Sequence, residues 1–138
     1  HFLTELGSYD RQCPVVVFFY PRDHTAVCTQ QACRFRDDHS AFQDAGAVMI
    51  GISSSSDASH ESFADQHKLP YLLISDADGK LRRAFGVPRS FGFLPGRVTY
   101  VIDRDGIVRH VFNALLDGEK HVQESLAVVQ QLAAESSP

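Results

Sequence analysis

Residues 14–20, Pro-Val-Val-Val-Phe-Phe-Tyr, form an unbroken apolar run that stops at Pro21. A strand with one face in water alternates polar and apolar side chains. This run does not, and it is rich in β-branched and aromatic residues. It therefore reads as a strand buried on both faces of a parallel sheet. A sheet of that kind needs covering elements above and below it. With 138 residues, the chain is long enough for one such domain with a sizeable core, and no internal repeat or domain boundary interrupts it.

The elements that follow alternate. A helix is expected from about Ala26 to Ala45, ended by Gly46, with Cys28, Ala32, Phe35, His39 and Phe42 recurring on one face. Ala47 to Ile52 is a second buried strand. Ser53–Ser56 and Asp57 form a polar loop that caps a helix from about Ala58 to Lys68, halted before Pro70. Leu72 to Ser75 is a third strand, and Leu81 to Phe85 a short helix. Val98–Ile102 and Ile107–Phe112 flank Asp103-Arg104-Asp105-Gly106 as a β-hairpin. A last helix from about Glu119 to Ala134 carries Val122, Leu126, Val129 and Leu132 or Ala133 on one face. This order predicts an α/β fold, a central mixed sheet flanked by helices on both faces. The thioredoxin-like fold has this order, which does not by itself fix a function.

Composition narrows the classes. The chain is 43% hydrophobic and 22% charged, as in an ordinary globular protein, and its net charge of -4 argues against nucleic acid or an anionic membrane as partner. No apolar run approaches the ~18 residues that span a bilayer. No signal-peptide pattern stands at His1, but the chain starts abruptly, as if an upstream segment had been removed. Three cysteines are too few for a stapled secreted scaffold and favour a reducing compartment.

Two of those cysteines carry the chemistry. Thr25 is expected as the N-cap of the first helix, which makes Cys28 its third residue, near backbone N–H groups with no helical partner and at the positive end of the dipole. Both effects favour thiolate. The Thr25 hydroxyl is expected to cap the helix and to donate to sulfur or a bound oxygen. Pro21, with fixed φ and no N–H, ends the strand and shields the thiolate from water. Cys33 follows five residues later. In an ideal helix the two Cα atoms lie ~8–9 Å apart, whereas a disulfide rarely exceeds ~7 Å. The pair cannot bridge until at least a turn unwinds. A C-x4-C spacing points to a sulfenic acid made on one cysteine and resolved by the other, rather than to exchange in a folded site. A metal site using His24, Cys28, Cys33 and His39 is disfavoured: residues 28 and 33 face directions about 140° apart on a helix, and no further ligand pair completes a zinc set.

The pattern Pro21-x3-Thr25-x2-Cys28, with Cys33 following, resembles the peroxiredoxins, and most of all the peroxiredoxin Q group, also called bacterioferritin comigratory protein. The resemblance extends through Gly46–Ser53, Lys68–Asp76, Phe85–Pro88 and Leu94–Asp103 to about Val129. It implies a thiol peroxidase, an antioxidant oxidoreductase with no metal or organic cofactor. Cys28 would be the peroxidatic cysteine that reduces hydrogen peroxide or an organic hydroperoxide. Cys33 would be the resolving cysteine, giving an intramolecular disulfide recycled by thioredoxin or a similar dithiol. Thr25 would bind the peroxide and Pro21 would shield the site. Arg97 matches the family's active-site arginine. A guanidinium keeps its charge, stabilises a thiolate and donates to peroxide oxygens.

The sequence also departs from the family. Ala26-Val27 replaces the usual Pro-Gly before the peroxidatic cysteine, which stiffens the loop. His24 stands where an acid is common and is expected to be a solvent-exposed bystander. Only a remnant of the family's N-terminal strand or hairpin fits before Pro14, so the domain is expected to be truncated or to begin at a processing site. Cys13 is expected to be an inert thiol at a strand edge. Phe91, Phe93 and Leu94 are read as ordinary loop packing, with an apolar collar for alkyl hydroperoxides as the alternative. Asp76-x-Asp78-Gly79 and Asp103-x-Asp105-Gly106 lack the further ligands of calcium loops and read as turns. A monomer is expected, since an intramolecular partner thiol needs no second subunit. The location expected is a bacterial cytoplasm, or a plastid if a transit peptide lay upstream. Rival readings are a thiol–disulfide oxidoreductase acting on protein disulfides and a redox-sensing binding protein with poor turnover.

Overall fold

A computed structural model of the chain describes residues 13–87, 97–114 and 116–136. The apolar run becomes β1 (Val15–Phe19), buried at every residue. It is the middle strand of a five-stranded sheet ordered β3-β2-β1-β4-β5. β2 (Val48–Ser53) and β3 (Leu72–Ser75) extend the sheet in parallel on one side. β4 (Val98–Ile102) and β5 (Val108–Asn113) form the expected hairpin on the other, antiparallel to β1 and to each other. Ile107 lies in the turn rather than in β5. Both Asp-x-Asp-Gly segments are turns, as expected: Asp103 Oδ1 accepts from the N–H groups of Asp105 and Ile107. The Asp76 carboxylate accepts from Leu81 and Arg82 at the start of α4 (Lys80–Phe85).

Different helices cover the two faces of β1. Val16, Phe18 and Tyr20 enter a core with Ala32 and Phe35 of α1 (Ala26–Asp37), Phe63 of α3 (Asp57–His67) and Val122 and Val129 of α5 (Gly118–Ser136). Val15, Val17 and Phe19 point the other way, toward Leu81 and Phe85 of α4. Phe18 stacks on Phe35 at 4.4 Å between ring centroids, and full burial of one such ring contributes roughly 1.5–3 kcal/mol. Gly51 in β2 is required by this packing, because a Cβ there would lie 2.8 Å from both Leu73 and the Phe18 ring.

One expected element is divided. The helix over 26–45 breaks at Asp38 (φ -94°, ψ 7°) into α1 and the short α2 (His39–Asp44). Asp38 closes the first by donating its N–H to Arg34 O and starts the second by accepting from Ala41 N and Phe42 N. Its carboxylate is held by Arg34 Nε at 3.1 Å. A short acidic side chain favours such a junction over a helix interior. The bend keeps Phe35 and Phe42 in contact, with ring centroids 5.7 Å apart, but His39 leaves the buried face. Gly46 does terminate the helical segment, in the left-handed conformation at φ +79°. In α3 the stop comes at Lys68, also left-handed, two residues ahead of Pro70.

The sheet order brings two distant segments together. Chain leaves the end of β1 toward α1 and enters β4 at Val98, and Phe19 and Val98 are opposite each other in the ladder. Whatever follows Phe19 therefore lies beside whatever precedes Val98.

Candidate active site

Cys28 is the third residue of α1, as expected, and is buried on its inward face. Its sulfur accepts a hydrogen bond from Arg97 Nη2 at 3.1 Å. Arg97 is itself only 2% exposed, so the contact is screened little by solvent. A guanidinium held this way presents a fixed, permanently charged donor to whatever sits at the sulfur. The other arm of the guanidinium, Nη1, donates to Gln31 Oε1. Gln31 is fully buried one turn beyond Cys28, and its Nε2 has no hydrogen-bond partner among the described residues.

Gln31 and Arg97 have a second layer of support. Gly118, at the start of α5, lies so close that a Cβ there would be 2.8 Å from Gln31 Cβ. Behind Arg97, the fully buried His121 ring spans Thr99 Oγ1 at 2.8 Å and Ala114 O at 2.7 Å. Burial, resisted by the Ala114 bond and reinforced by the Arg97 charge, pushes His121 down to about 4. The ring is thus neutral near pH 7. A carbonyl only accepts, so Nε2 carries the proton and Nδ1 accepts from Thr99.

Thr25 occupies the N-cap position, and its carbonyl accepts the first helical bond, from Thr29 N at 2.8 Å. Its hydroxyl does not cap the helix as expected. It donates instead to Arg22 O at 3.0 Å and is exposed. The first turn of α1 carries neither a side-chain cap nor an acidic residue. Pro21 follows the strand end and is half-buried. His24 is exposed, as expected, but is left-handed (φ 65°), with its ring edge-on to Phe63 at 5.2 Å.

Asp23 was not singled out from the sequence, yet it is buried in this otherwise exposed loop. Its carboxylate accepts from Tyr20 Oη at 2.6 Å, lies 2.7 Å from His60 Nδ1, and accepts from Ser59 Oγ at 2.9 Å. Burial pushes the carboxyl up, but the bonds to His60, Tyr20 and Ser59 outweigh it and hold it below the usual carboxylate range. The same burial, together with Asp23, pushes the Tyr20 phenol far up.

Cys33 is half-buried on the same uninterrupted helix as Cys28, and both are thiols. It lies within electrostatic reach of Arg36 and Tyr71. Those side chains are fixed, Tyr71 Oη donating to Ala32 O at 2.7 Å and Arg36 Nη1 to His67 O at 2.8 Å. Of the five residues expected at the site, the structure joins Cys28 and Arg97 directly. Thr25 and Pro21 lie in the loop just before Cys28, and Cys33 sits apart. Phe91, Phe93 and Leu94 lie outside the described residues.

A family model described as the AhpC/TSA family matches residues 3–111. This chain belongs to that family. It is 52% identical over 120 residues to the chloroplastic peroxiredoxin Q of Suaeda salsa, a match covering 86% of this chain and 56% of that one. The chain thus spans just over half the length of that relative. Among solved structures it resembles the peroxidoxin BcpB of Mycobacterium tuberculosis (36% identity, TM-score 0.80, covering 88% of this chain and 80% of that one). It also resembles a bacterioferritin comigratory protein of Xanthomonas campestris with alkyl peroxide reduction activity (28% identity, TM-score 0.80, covering 88% of this chain and 81% of that one). The resemblance drawn from the Cys28 motif is borne out, and so is the thioredoxin-like mixed sheet.

Gln31 was legible in principle: it is a polar residue one turn from Cys28, on the face that Ala32 and Phe35 mark as inward. The His121–Thr99 pair had no local signal, because its partners meet only through tertiary packing.

Proposed function

We propose that the protein is a thiol-dependent peroxidase that uses Cys28 and Cys33 in turn. The observation that carries this reading is the buried Arg97 Nη2 at 3.1 Å from Cys28 Sγ. The Cys28 thiolate attacks the terminal oxygen of a hydroperoxide. An S–O bond forms, the O–O bond breaks, and the departing alkoxide or hydroxide takes a proton and leaves as alcohol or water. The sulfur, oxidised by two electrons, is left as a sulfenic acid. Arg97 keeps its charge throughout and donates toward the oxygens as negative charge develops on them. Gln31 holds the second arm of the guanidinium so that its plane stays aimed at the sulfur. Thr25 turns its hydroxyl from Arg22 O toward the bound peroxide, and Pro21 keeps water from the thiolate.

Cys33 then attacks the sulfenic sulfur, forming the S–S bond and expelling water. Both cysteines lie on one intact helix, where their Cα atoms are ~8–9 Å apart, so this step requires local unwinding of α1. A dithiol protein such as thioredoxin returns the pair to thiols by exchange, becoming oxidised itself. Hydrogen peroxide and organic hydroperoxides are the substrate class, and the working form is a monomer. The chloroplastic relatives support a plastid location, the alternative read from the sequence, rather than a bacterial cytoplasm.

The test is mass spectrometry with peptide mapping of the reduced protein after one equivalent of hydrogen peroxide. A loss of two hydrogens with a Cys28–Cys33 linkage is expected. Unmodified thiols, or a linkage through Cys13, would overturn the reading.

A further inference from the structure

Asp23 is 3% exposed, although Arg22, His24 and Thr25 around it are all exposed. A carboxylate is buried in a surface loop only where its partners are fixed. Here they are fixed on three elements. Tyr20 directly follows β1, Ser59 and His60 belong to α3, and His60 Nε2 is in turn tied to Ile74 O of β3 at 3.1 Å. The Asp23 backbone N–H adds a bond to Ser55 Oγ at 3.1 Å. None of these contacts involves Cys28, Gln31 or Arg97. The loop before the reactive cysteine and the cysteine itself are thus held by two separate sets of bonds. Between them lies a helix start with no side-chain cap and no acidic residue in its first turn.

We infer that Asp23 is a positioning residue whose clamp pins Pro21–Thr25 to α3, so that α1 unwinds to join Cys28 to Cys33 while the peroxide-receiving loop stays in place. The inference rests on the two-cysteine reading above. It gives the clamp opposite effects on the two chemical steps. A loosened clamp leaves Thr25 and Pro21 less well placed for peroxide, which slows oxidation of Cys28. It also makes departure from the folded helix start easier, which speeds disulfide closure. A residue that only stabilises the fold would shift neither step, or both in the same direction.

The experiment is rapid quenching of the reduced chain after mixing with hydrogen peroxide, followed by thiol alkylation and intact-mass analysis, which counts thiol, sulfenic acid and disulfide separately. Asp23→Asn is expected to oxidise about tenfold more slowly and to close the disulfide about threefold faster. Ser59→Ala, which removes one donor, is expected to move both rates in the same directions by less. It decides the matter if Asp23→Asn does not fold. Rates within about twofold of the parent protein, a change smaller than 0.5 kcal/mol in either barrier, would overturn the inference, and so would a joint slowing of both steps. In a Cys33→Ser background only the oxidation step remains. Unaltered oxidation in Asp23→Asn/Cys33→Ser overturns the clamp. A parent protein that forms no Cys28–Cys33 linkage overturns the two-cysteine reading instead.

Discussion

Arg97 donates to the sulfur of Cys28 at 3.1 Å although the two lie 69 positions apart in the chain. The contact follows from one strand pairing, because Phe19 at the end of β1 faces Val98 at the start of β4. The thiol enters from the helix after β1 and the guanidinium from the residue before β4. Sheet register thus sets the distance between thiol and guanidinium, and the rigidity of the central sheet maintains it.

Arg97→Lys tests what the guanidinium contributes beyond charge. An ammonium is a point donor on a flexible stem and cannot hold Gln31 Oε1 and Cys28 Sγ at once in one plane. Losing one well-placed donor to developing charge typically costs about 100- to 1,000-fold in rate. Oxidation of Cys28 in Arg97→Lys is expected to fall about 100-fold, read as the second-order rate constant with hydrogen peroxide. A rate near that of the parent protein would show that charge alone suffices.

Gly118→Ala tests the packing behind the guanidinium. The new Cβ would lie 2.8 Å from Gln31 Cβ and 3.2 Å from Gln31 Cα and N, so backbone as well as side chain must shift. Overpacking of this kind costs about 1–3 kcal/mol. Thermal unfolding is expected at a lower temperature than in the parent protein. The Cys28 oxidation rate is expected to fall with it, because Gln31 no longer holds Arg97 in place. A stability loss with an unchanged rate would separate the packing from the chemistry.

His121 sets an acid limit on stability. Its folded value is pushed down from 6.5 to about 4, so between those limits the unfolded chain binds the proton and the folded one does not. The His121 contribution is therefore intact above pH 6.5 and is lost progressively as pH falls to about 4. The full linkage amounts to about 3 kcal/mol. Urea unfolding at pH 7 and pH 4.5 is expected to show most of that difference. His121→Gln, which cannot titrate, is expected to flatten it. An equally steep dependence in His121→Gln would place the acid sensitivity elsewhere.

The sequence was most readable where the physics is local. β1, β3 and β4 could be placed because runs such as Val15–Phe19 and Val98–Ile102 admit few other structures, and Cys28 could be placed in the first turn because Pro21 and Thr25 bound it. Asp38 escaped notice because apolar spacing continues across it from Phe35 to Phe42. Its junction depends on a carboxylate–arginine bond that periodicity does not register. The Thr25 hydroxyl was assigned to the helix because threonine is a good N-cap, but the nearby Arg22 carbonyl competes for it successfully. Asp23 and His60 are 37 residues apart, and nothing in either segment marks the pair. Their association depends on how α3 packs over the end of β1.

Cys33→Ser separates chemistry from conformational change. A serine cannot complete the disulfide, so this variant is expected to consume about one equivalent of peroxide and stop with a sulfenic acid on Cys28, provided no other thiol resolves it. The parent protein is expected to continue to the disulfide, which no intact helix accommodates at a Cα separation of ~8–9 Å. Amide hydrogen exchange makes the difference visible. Residues of α1 near Cys28 and Cys33 are expected to lose protection in the oxidised parent protein and to keep it in oxidised Cys33→Ser. If α1 remained protected in an oxidised parent protein carrying the Cys28–Cys33 bond, the helix would have to accommodate a bridge that its geometry forbids. The unwinding step would then be wrong even though the disulfide had formed.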